Sequence, residues 1–361
     1  MRPTKASFKW RDITESRLFF PFIAFVLILL FDLILVPGFF RISTREGNLY
    51  GSVIDILRNG STVALLAIGM TLVIATGGVD LSVGAIMAIA ASVAALLMNP
   101  YVLGKELSPQ MLALIRNPYF TYQPLWVVLL VTLFVAAVCG LWNGVLVAYV
   151  RIQPMVATLI LMIAGRGIAQ LITNGVRIQI FYEPYAFIGQ GWIILPFSLY
   201  LVAFVYALSW LFTRKTAIGM FIESVGINAR SSFFSGISEQ KIKLLVYTFC
   251  GFCAGIAGLV ASANIKTSDA NNIGDALELD AILAVVIGGT SMMGGRFSLL
   301  ASIVGAVVIQ AITTSMYAIG VPAFALQAIK GVVVILVILL YSEQVRNFFQ
   351  NLTADRKEAQ P

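Results

Sequence analysis

Long apolar stretches that recur along the whole chain constrain its fold more than any other feature. Leu18 to Val36, Trp192 to Phe212 and Pro322 to Tyr341 each supply about the 20 residues a helix needs to cross a hydrocarbon core about 30 Å thick. In hydrocarbon every backbone N–H and C=O has to be satisfied within its own element, so repeated runs become helices or a closed barrel. These runs are too long for barrel strands. Composition agrees: 59% of the 361 residues are apolar, 11% are charged, and the mean hydropathy is +0.92, more apolar surface than a water-soluble core absorbs. Setting the runs against their breakers predicts an all-α, polytopic membrane helix bundle of about ten transmembrane helices. The spans fall near 18–36, 61–76, 82–98, 126–150, 155–173, 192–212, 244–263, 279–293, 297–319 and 322–341.

Charge orients the bundle. The net charge of +7 sits in short loops and tails beside apolar runs, not on one basic face, so nucleic acid is not an expected partner. With the N-terminus inside, 15 Lys and Arg lie on the cytoplasmic side, 7 outside and 2, Arg166 and Lys330, within spans. This predicts an N-in, C-in topology with a cytoplasmic tail at 1–17, a transmembrane domain at 18–341 holding a cytoplasmic loop at 213–243, and a cytoplasmic tail at 342–361. The basic start (Arg2, Lys5, Lys9, Arg11) leads into the first run without a small-residue cleavage site, so the first helix is expected to stay attached. Trp126, Trp192 and Trp210 stand at predicted span ends, where an amphipathic ring prefers the headgroup layer.

The chain has no histidine, which removes His-dependent nucleophilic and metal chemistry. Cys139, Cys250 and Cys253 lie inside predicted spans and imply no disulfide framework. Cys250 and Cys253 have CxxC spacing, but Phe249, Gly251, Phe252, Ala254 and Gly255 around them point to helix packing. No phosphate-loop motif is present; Gly104-Lys105 is followed by Glu106 and lacks the preceding glycine. Small residues at helix-packing spacing, Gly140 with Gly144 and Gly251 with Gly255 and Gly258, predict close backbone approach.

Two glycine-rich interruptions resemble each other: Gly77-Gly78-Val79-Asp80-Leu81-Ser82-Val83-Gly84, and Gly288-Gly289-Thr290-Ser291-Met292-Met293-Gly294-Gly295-Arg296. Glycine-broken short helices in both halves of a chain are a transporter pattern, the breaks lining a pathway. Asp80 is costly in a membrane interior; it either serves the pathway or caps the helical run from Leu81 with Ser82. Asp280, with Glu278 before it, is likewise expected to cap the run Ala281 to Ile287. Asp269, Asn271 and Asn272 could contact a hydroxylated solute, and Thr290 and Ser291 sit in the second break. Asn143, Arg166, Gln170, Gln310 and Lys330 should face the bundle interior or water. For a neutral polyol, Asn143 and Gln170 are suitable donors and acceptors; hydrogen bonding between helices is the plainer role.

The loop between the sixth and seventh predicted spans reads AIGMFIESVGINARSSFFSGI from Ala217 to Ile237. Asn228 is an expected N-cap and Gly236 an expected C-terminal glycine for a short helix, giving two short helices hinged at Gly226. Phe221, Phe233 and Phe234 then need cover from lipid headgroups or from a groove on a cytoplasmic partner. Glu223, Gly226 and Asn228 followed by Ser235-Gly236-Ile237 resemble the ATPase-coupling loop of ribose-type ABC sugar importer permeases. GGVDLSVG at 77–84 and GGTSMMGGR at 288–296 are similar to that family's signature stretches, and the likeness runs from about residue 51 to 341. Within the family, ALLAIGMTLVIATGGVDLSVGAIMAIA, ATLILMIAGRGIAQLIT and DANNIGDALELDAILAVVIGG resemble the galactofuranose branch. The stretch from Tyr101 to Gln123 is longer than that pattern.

The resemblance implies a non-enzymatic permease subunit of a bacterial inner membrane, importing a monosaccharide, galactofuranose or another sugar such as ribose. It implies Glu223, Gly226, Asn228, Ser235 and Gly236 as ATPase-coupling residues. Candidates for the pathway are Asp80, Ser82, Asn143, Gln170, Asp269, Asn271, Asn272, Thr290 and Ser291. No cofactor or metal is expected on this chain; ATP and Mg belong to a partner ABC ATPase subunit. Further implied partners are a second permease subunit, as hetero- or homodimer, and a periplasmic sugar-binding protein. An ion-coupled secondary transporter is the alternative that the broken helices and the intramembrane charges Asp80, Arg166 and Lys330 leave open.

Overall fold

A computed structural model describes residues 19–36, 38–45, 48–99, 121–322, 325–332 and 335. The expected tails at 1–17 and 342–361, the stretch 101–120 and half of the expected span 322–341 lie outside these residues. In chain order the elements are α1 (Phe19–Leu35), the hairpin β1 (Ser43–Arg45) and β2 (Asn48–Tyr50), α2 (Ser52–Ala75), α3 (Val83–Met98), α4 (Leu125–Ala148) and α5 (Pro154–Ile172). Then come β3 (Ile178–Gln179), α6 (Glu183–Gln190), α7 (Phe197–Lys215), α8 (Ile218–Ile227), α9 (Ala229–Phe234), α10 (Glu239–Ile265), β4 (Thr267–Ser268), α11 (Leu277–Ile287) and α12 (Leu299–Ile319). β1 and β2 pair antiparallel with Ser43 opposite Tyr50; β3 pairs antiparallel with β4, Ile178 opposite Ser268.

Six helices among the described residues, α2, α4, α5, α7, α10 and α12, are long and apolar enough to cross a membrane. They sort into an inner and an outer set. The apolar window of α2 is 78% buried and those of α10 and α12 61%, against 22% for α4 and 28% for α5 and α7. The outer faces carry the large apolar side chains, among them Trp126, Phe134, Ile163, Leu171 and Phe204, as helices facing acyl chains must. Between helices in lipid no hydrophobic drive remains, so close packing at small residues does the work. A Cβ on Gly140 of α4 would come within 3.0 Å of Gly251 on α10; one on Gly258 would come 2.5 Å from Met87 O on α3. Cys250 and Cys253 pack around Gly69 of α2, each about 3 Å from where its Cβ would stand. The CxxC spacing is therefore a seat for a glycine.

Several expected boundaries are corrected. The span expected at 61–76 begins at Ser52, and that at 244–263 begins at Glu239. The span expected at 192–212 starts only at Phe197, because Pro196 sets its N-cap; Trp192 precedes it, in a bridge to Pro196 and packed on Tyr50. The run 279–293 is an 11-residue helix, Leu277–Ile287, about 16 Å long and unable to span by itself. α3, with 16 residues, is also short. These two short helices adjoin the two glycine breaks.

Candidate functional site

The breaks end their helices by one device. After α2, Gly77 N donates to Ile74 O and Gly78 N to Val73 O; after α11, Gly289 N donates to Val286 O and Thr290 N to Val285 O. The glycine at the left-handed position is Gly77 (φ 77°) in one and Gly289 (φ 73°) in the other. This is the Schellman closure, which favours a residue free of the Cβ penalty. By this closure Gly77 matches Gly289, one residue off the alignment that the two glycine pairs suggest by eye; the same closure also ends α5 at Asn174, α9 at Gly236 and α12 at Gly320, so it is a general helix end and not a mark of the two breaks.

Past the first break the chain turns into α3 through a sealed polar network. Asp80 Oδ1 accepts from Ser82 N (2.9 Å), Ser82 Oγ (2.6 Å) and Asn143 Nδ2 (3.3 Å), and Asn143 Nδ2 also donates to Ser82 Oγ (2.7 Å). All three side chains are fully buried. Asp80 thereby fixes Ser82, the N-cap residue of α3; the helix itself starts at Val83 and receives no side-chain capping bond, so the cap expected of Asp80 is a brace on the N-cap residue instead. No N–H or O–H among the described residues reaches Asp80 Oδ2; the Cys250 thiol is a further neighbour of the carboxyl. Thr158 of α5 accepts from Leu81 N at 3.1 Å, and Tyr247 of α10 donates to Val79 O at 3.4 Å. The break is held from three helices, α4, α5 and α10.

The N-termini of the two short helices meet. Gly84 in the first turn of α3 and Gly274, just before α11, touch backbone to backbone, and Glu278 of α11 lies against the same turn. Asp280 is not the cap expected of it: α11 begins at Leu277, with Ala276 at its N-cap, and Asp280 faces sideways to an ion pair with Lys330, Oδ2 to Nζ 2.6 Å. Arg166 of α5 donates through Nη1 to Ala270 O (2.9 Å) and Ile273 O (2.6 Å), pinning the 266–276 connection against the short helices.

Along that connection the polar candidates gather. Gln170 Nε2 donates to Asn271 Oδ1 (2.6 Å); Asp269 accepts from Asn271 N (3.0 Å), Asn272 N (3.3 Å) and Asn272 Nδ2 (2.7 Å) and pairs with Arg177 (2.7 Å). Burial pushes the Asp269 carboxyl up, but these hydrogen bonds and the Arg177 charge outweigh it and hold it below the usual range. In the second break Thr290 is buried and Ser291 Oγ accepts from Met293 N (3.2 Å). Gln310 stays on its own helix, donating to Thr314 Oγ1 at 3.4 Å. The candidates therefore form two groups, Asp80–Ser82–Asn143 and Gln170–Asp269–Asn271–Asn272, with Thr290 and Ser291 apart. Sequence reading named Glu278 only as a neighbour of Asp280 and did not single out Thr158 or Tyr247, which reach the break across 77 and 168 residues and leave no local signal.

The loop 213–243 holds α8 and α9. Asn228 caps α9, its Oδ1 accepting from Ser231 N at 2.9 Å, and Gly236 closes it, with Gly236 N on Phe233 O (3.0 Å) and Ile237 N on Ser232 O (2.9 Å). The hinge expected at Gly226 is corrected to Asn228, whose extended backbone separates the two helices. Gly226 instead lies inside α8, where its missing side chain lets the helix touch both breaks: a Cβ there would collide with Ala75 O and stand 2.5 Å from Gly295 N. Gly295 N donates to Ala75 O at 2.9 Å across the same spot. Three glycine-bearing segments meet in main-chain contact. Glu223 is partly exposed beside them, and Met220, Ile227, Phe233 and Phe234 project outward.

The family described as "Branched-chain amino acid transport system / permease component" matches residues 52–341. The galactofuranose transporter permease protein of Escherichia coli K12 is 48% identical over 324 residues, covering 89% of each chain. The fructose import permease protein of Bifidobacterium longum is 37% identical, covering 96% of this chain and 93% of the relative. The ribose import permease protein of Escherichia coli K12 is 32% identical, covering 85% and 88%. No solved structure matches the chain. With helices that cross a membrane, breaks that meet a loop helix and a match over most of its length, this chain belongs to the permease-component family of the branched-chain amino acid transport systems.

Proposed function

We propose that this chain is the transmembrane permease subunit of a bacterial ABC importer that moves a monosaccharide inward, with galactofuranose as the substrate. The contact of α8 with both breaks at Gly226 carries the reading. A partner ATPase that grips Glu223 to Gly236 would move main chain that is continuous with the break of each short helix. The sugar follows from the relatives: permeases for galactofuranose, fructose and ribose all align over most of this chain.

In this reading the chain crosses ten times with both termini inside. α1, the six long helices and 322–341 are crossings, and α3 and α11 each complete one with the extended chain beside them. Residues 1–17 and 342–361 are cytoplasmic tails, 18–341 the transmembrane domain and 213–243 the coupling loop. Two copies, or one copy and a second permease, stand over ATPase subunits that use ATP and Mg in the inner membrane, and a periplasmic sugar-binding protein delivers the substrate. Asp80, Ser82 and Asn143 hold the first break, while Gln170, Asp269, Asn271 and Asn272 meet the sugar, and Thr290 and Ser291 line the second break.

The test is reconstitution of the full importer in liposomes with radiolabelled galactofuranose and ribose. We expect ATP-dependent galactofuranose uptake that Glu223→Arg abolishes together with sugar-stimulated ATP hydrolysis. Uptake that persists without the ATPase and collapses with the proton gradient would overturn the assignment in favour of a secondary carrier.

A further inference from the structure

A groove of about 600 Å³ opens between α4, α7, α8 and α10, at the end of the bundle that holds the loop helices. Its wall is apolar, with Leu208 and Phe212 of α7, Ile222 of α8, and Leu245 and Phe249 of α10. The hydroxyls in the wall are already used: Ser209 Oγ donates to Val205 O and Thr213 Oγ1 to Ser209 O, both at 2.7 Å, and Thr248 Oγ1 to Leu244 O at 2.8 Å. A sugar would find almost no hydrogen-bonding partner there. The volume lies in the range that encloses a single small ligand, and everything the groove offers suits a hydrocarbon chain.

Its rim is basic. Lys241 lines the groove directly, and Arg214 and Lys215 follow Thr213 of the wall at the end of α7. Lys215 Nζ stands 5.7 Å from the ring centre of Trp210, a residue that belongs at the headgroup level. Of the acidic side chains nearby, Glu239 is paired with Lys243 (2.5 Å) and Glu223 lies on α8; among the described residues neither pairs with Lys241. An apolar slot with one lysine in its lining that is unpaired among the described residues, at the end of a helix that closes on Trp210, Arg214 and Lys215, matches one class of molecule, a lipid with a negative headgroup.

We infer that this groove binds one acyl chain of an anionic phospholipid, with Lys241 on its phosphodiester. Because Ile218 and Ile222 of α8 form part of the wall, the lipid would occupy the space beneath the helix that carries Gly226. The inference rests on the membrane location and not on the identity of the sugar.

The experiment is native mass spectrometry of the delipidated full chain, incubated with equal amounts of phosphatidylglycerol and phosphatidylethanolamine of identical acyl composition. The expected result is retention of about one phosphatidylglycerol per chain, favoured about fivefold per basic contact at the membrane surface. Lys241→Ser should lose most of that preference, and Leu245→Trp, which fills the slot, should lower retention of both lipids. Lys241 is exposed, so its replacement leaves the fold intact. Equal retention of the two lipids by the unaltered chain would mean ordinary boundary lipid and overturn the site. So would retention unaffected by both substitutions, or a chain dimer that Leu245→Trp dissociates without changing lipid binding.

Discussion

At the scale of single residues, the chain tolerates polar groups in its interior only where partners close around them. Asp80 was legible as a costly carboxylate beside a helix start, and that is where it acts, with Ser82 and Asn143 on Oδ1. The partnership with Asn143, 63 positions away, was not legible, because amide type and position carry no information about which helix they will face. Asp269 yields a pH prediction. Its folded carboxyl titrates below the ordinary 3.8, so the stability it contributes is present above that value and is lost as pH falls through the lower folded one. Hydrogen exchange at the Asn271 and Asn272 amides, corrected for intrinsic pH dependence, should therefore accelerate as pH falls below about 4. Unchanged protection across that range would refute the role given to the carboxylate.

At the scale of elements, one glycine in the loop shapes the fold by what it lacks. Gly226→Ala should raise the intrinsic helix propensity of α8 by about 1 kcal/mol, yet its Cβ has no room against Ala75 O. We expect the variant to keep its helix content and lose sugar-stimulated ATP hydrolysis. Gly236→Ala supplies the contrast: nothing stands near its Cβ, and only the left-handed backbone (φ 82°) objects, at about 1–2 kcal/mol. That variant should unfold slightly earlier and lose less of the stimulated hydrolysis than Gly226→Ala, and equal activity of the two variants would sink the argument. The sequence marked both helices correctly through Asn228 and Gly236, since capping is local chemistry. It misplaced the hinge because a glycine needed for close approach looks the same in sequence as one needed for a bend.

At the scale of the whole molecule, the two breaks are counterparts in which long and short helices trade places. The long helix α2 precedes its break and the short α3 follows; the short α11 precedes its break and the long α12 follows. The apolar runs foretold a helical bundle because periodicity and length are written in every segment. They counted α11 as a full span because its run continues through the glycines. The ion pair of Asp280 with Lys330 joins α11 to the helical stretch 325–332, near the end of the described chain. Both partners are nearly buried, so Lys330→Met or Asp280→Leu alone should cost about 3–5 kcal/mol, while the double replacement should recover most of it. Thermal unfolding in detergent would read the difference, and singles as stable as the double would contradict it. The junction of Gly226, Ala75 and Gly295 is of another kind, because it is made of main chain and carries no ionisable group. A latch built that way is indifferent to ionic strength and to acidity on either side of the membrane, and responds only to displacement.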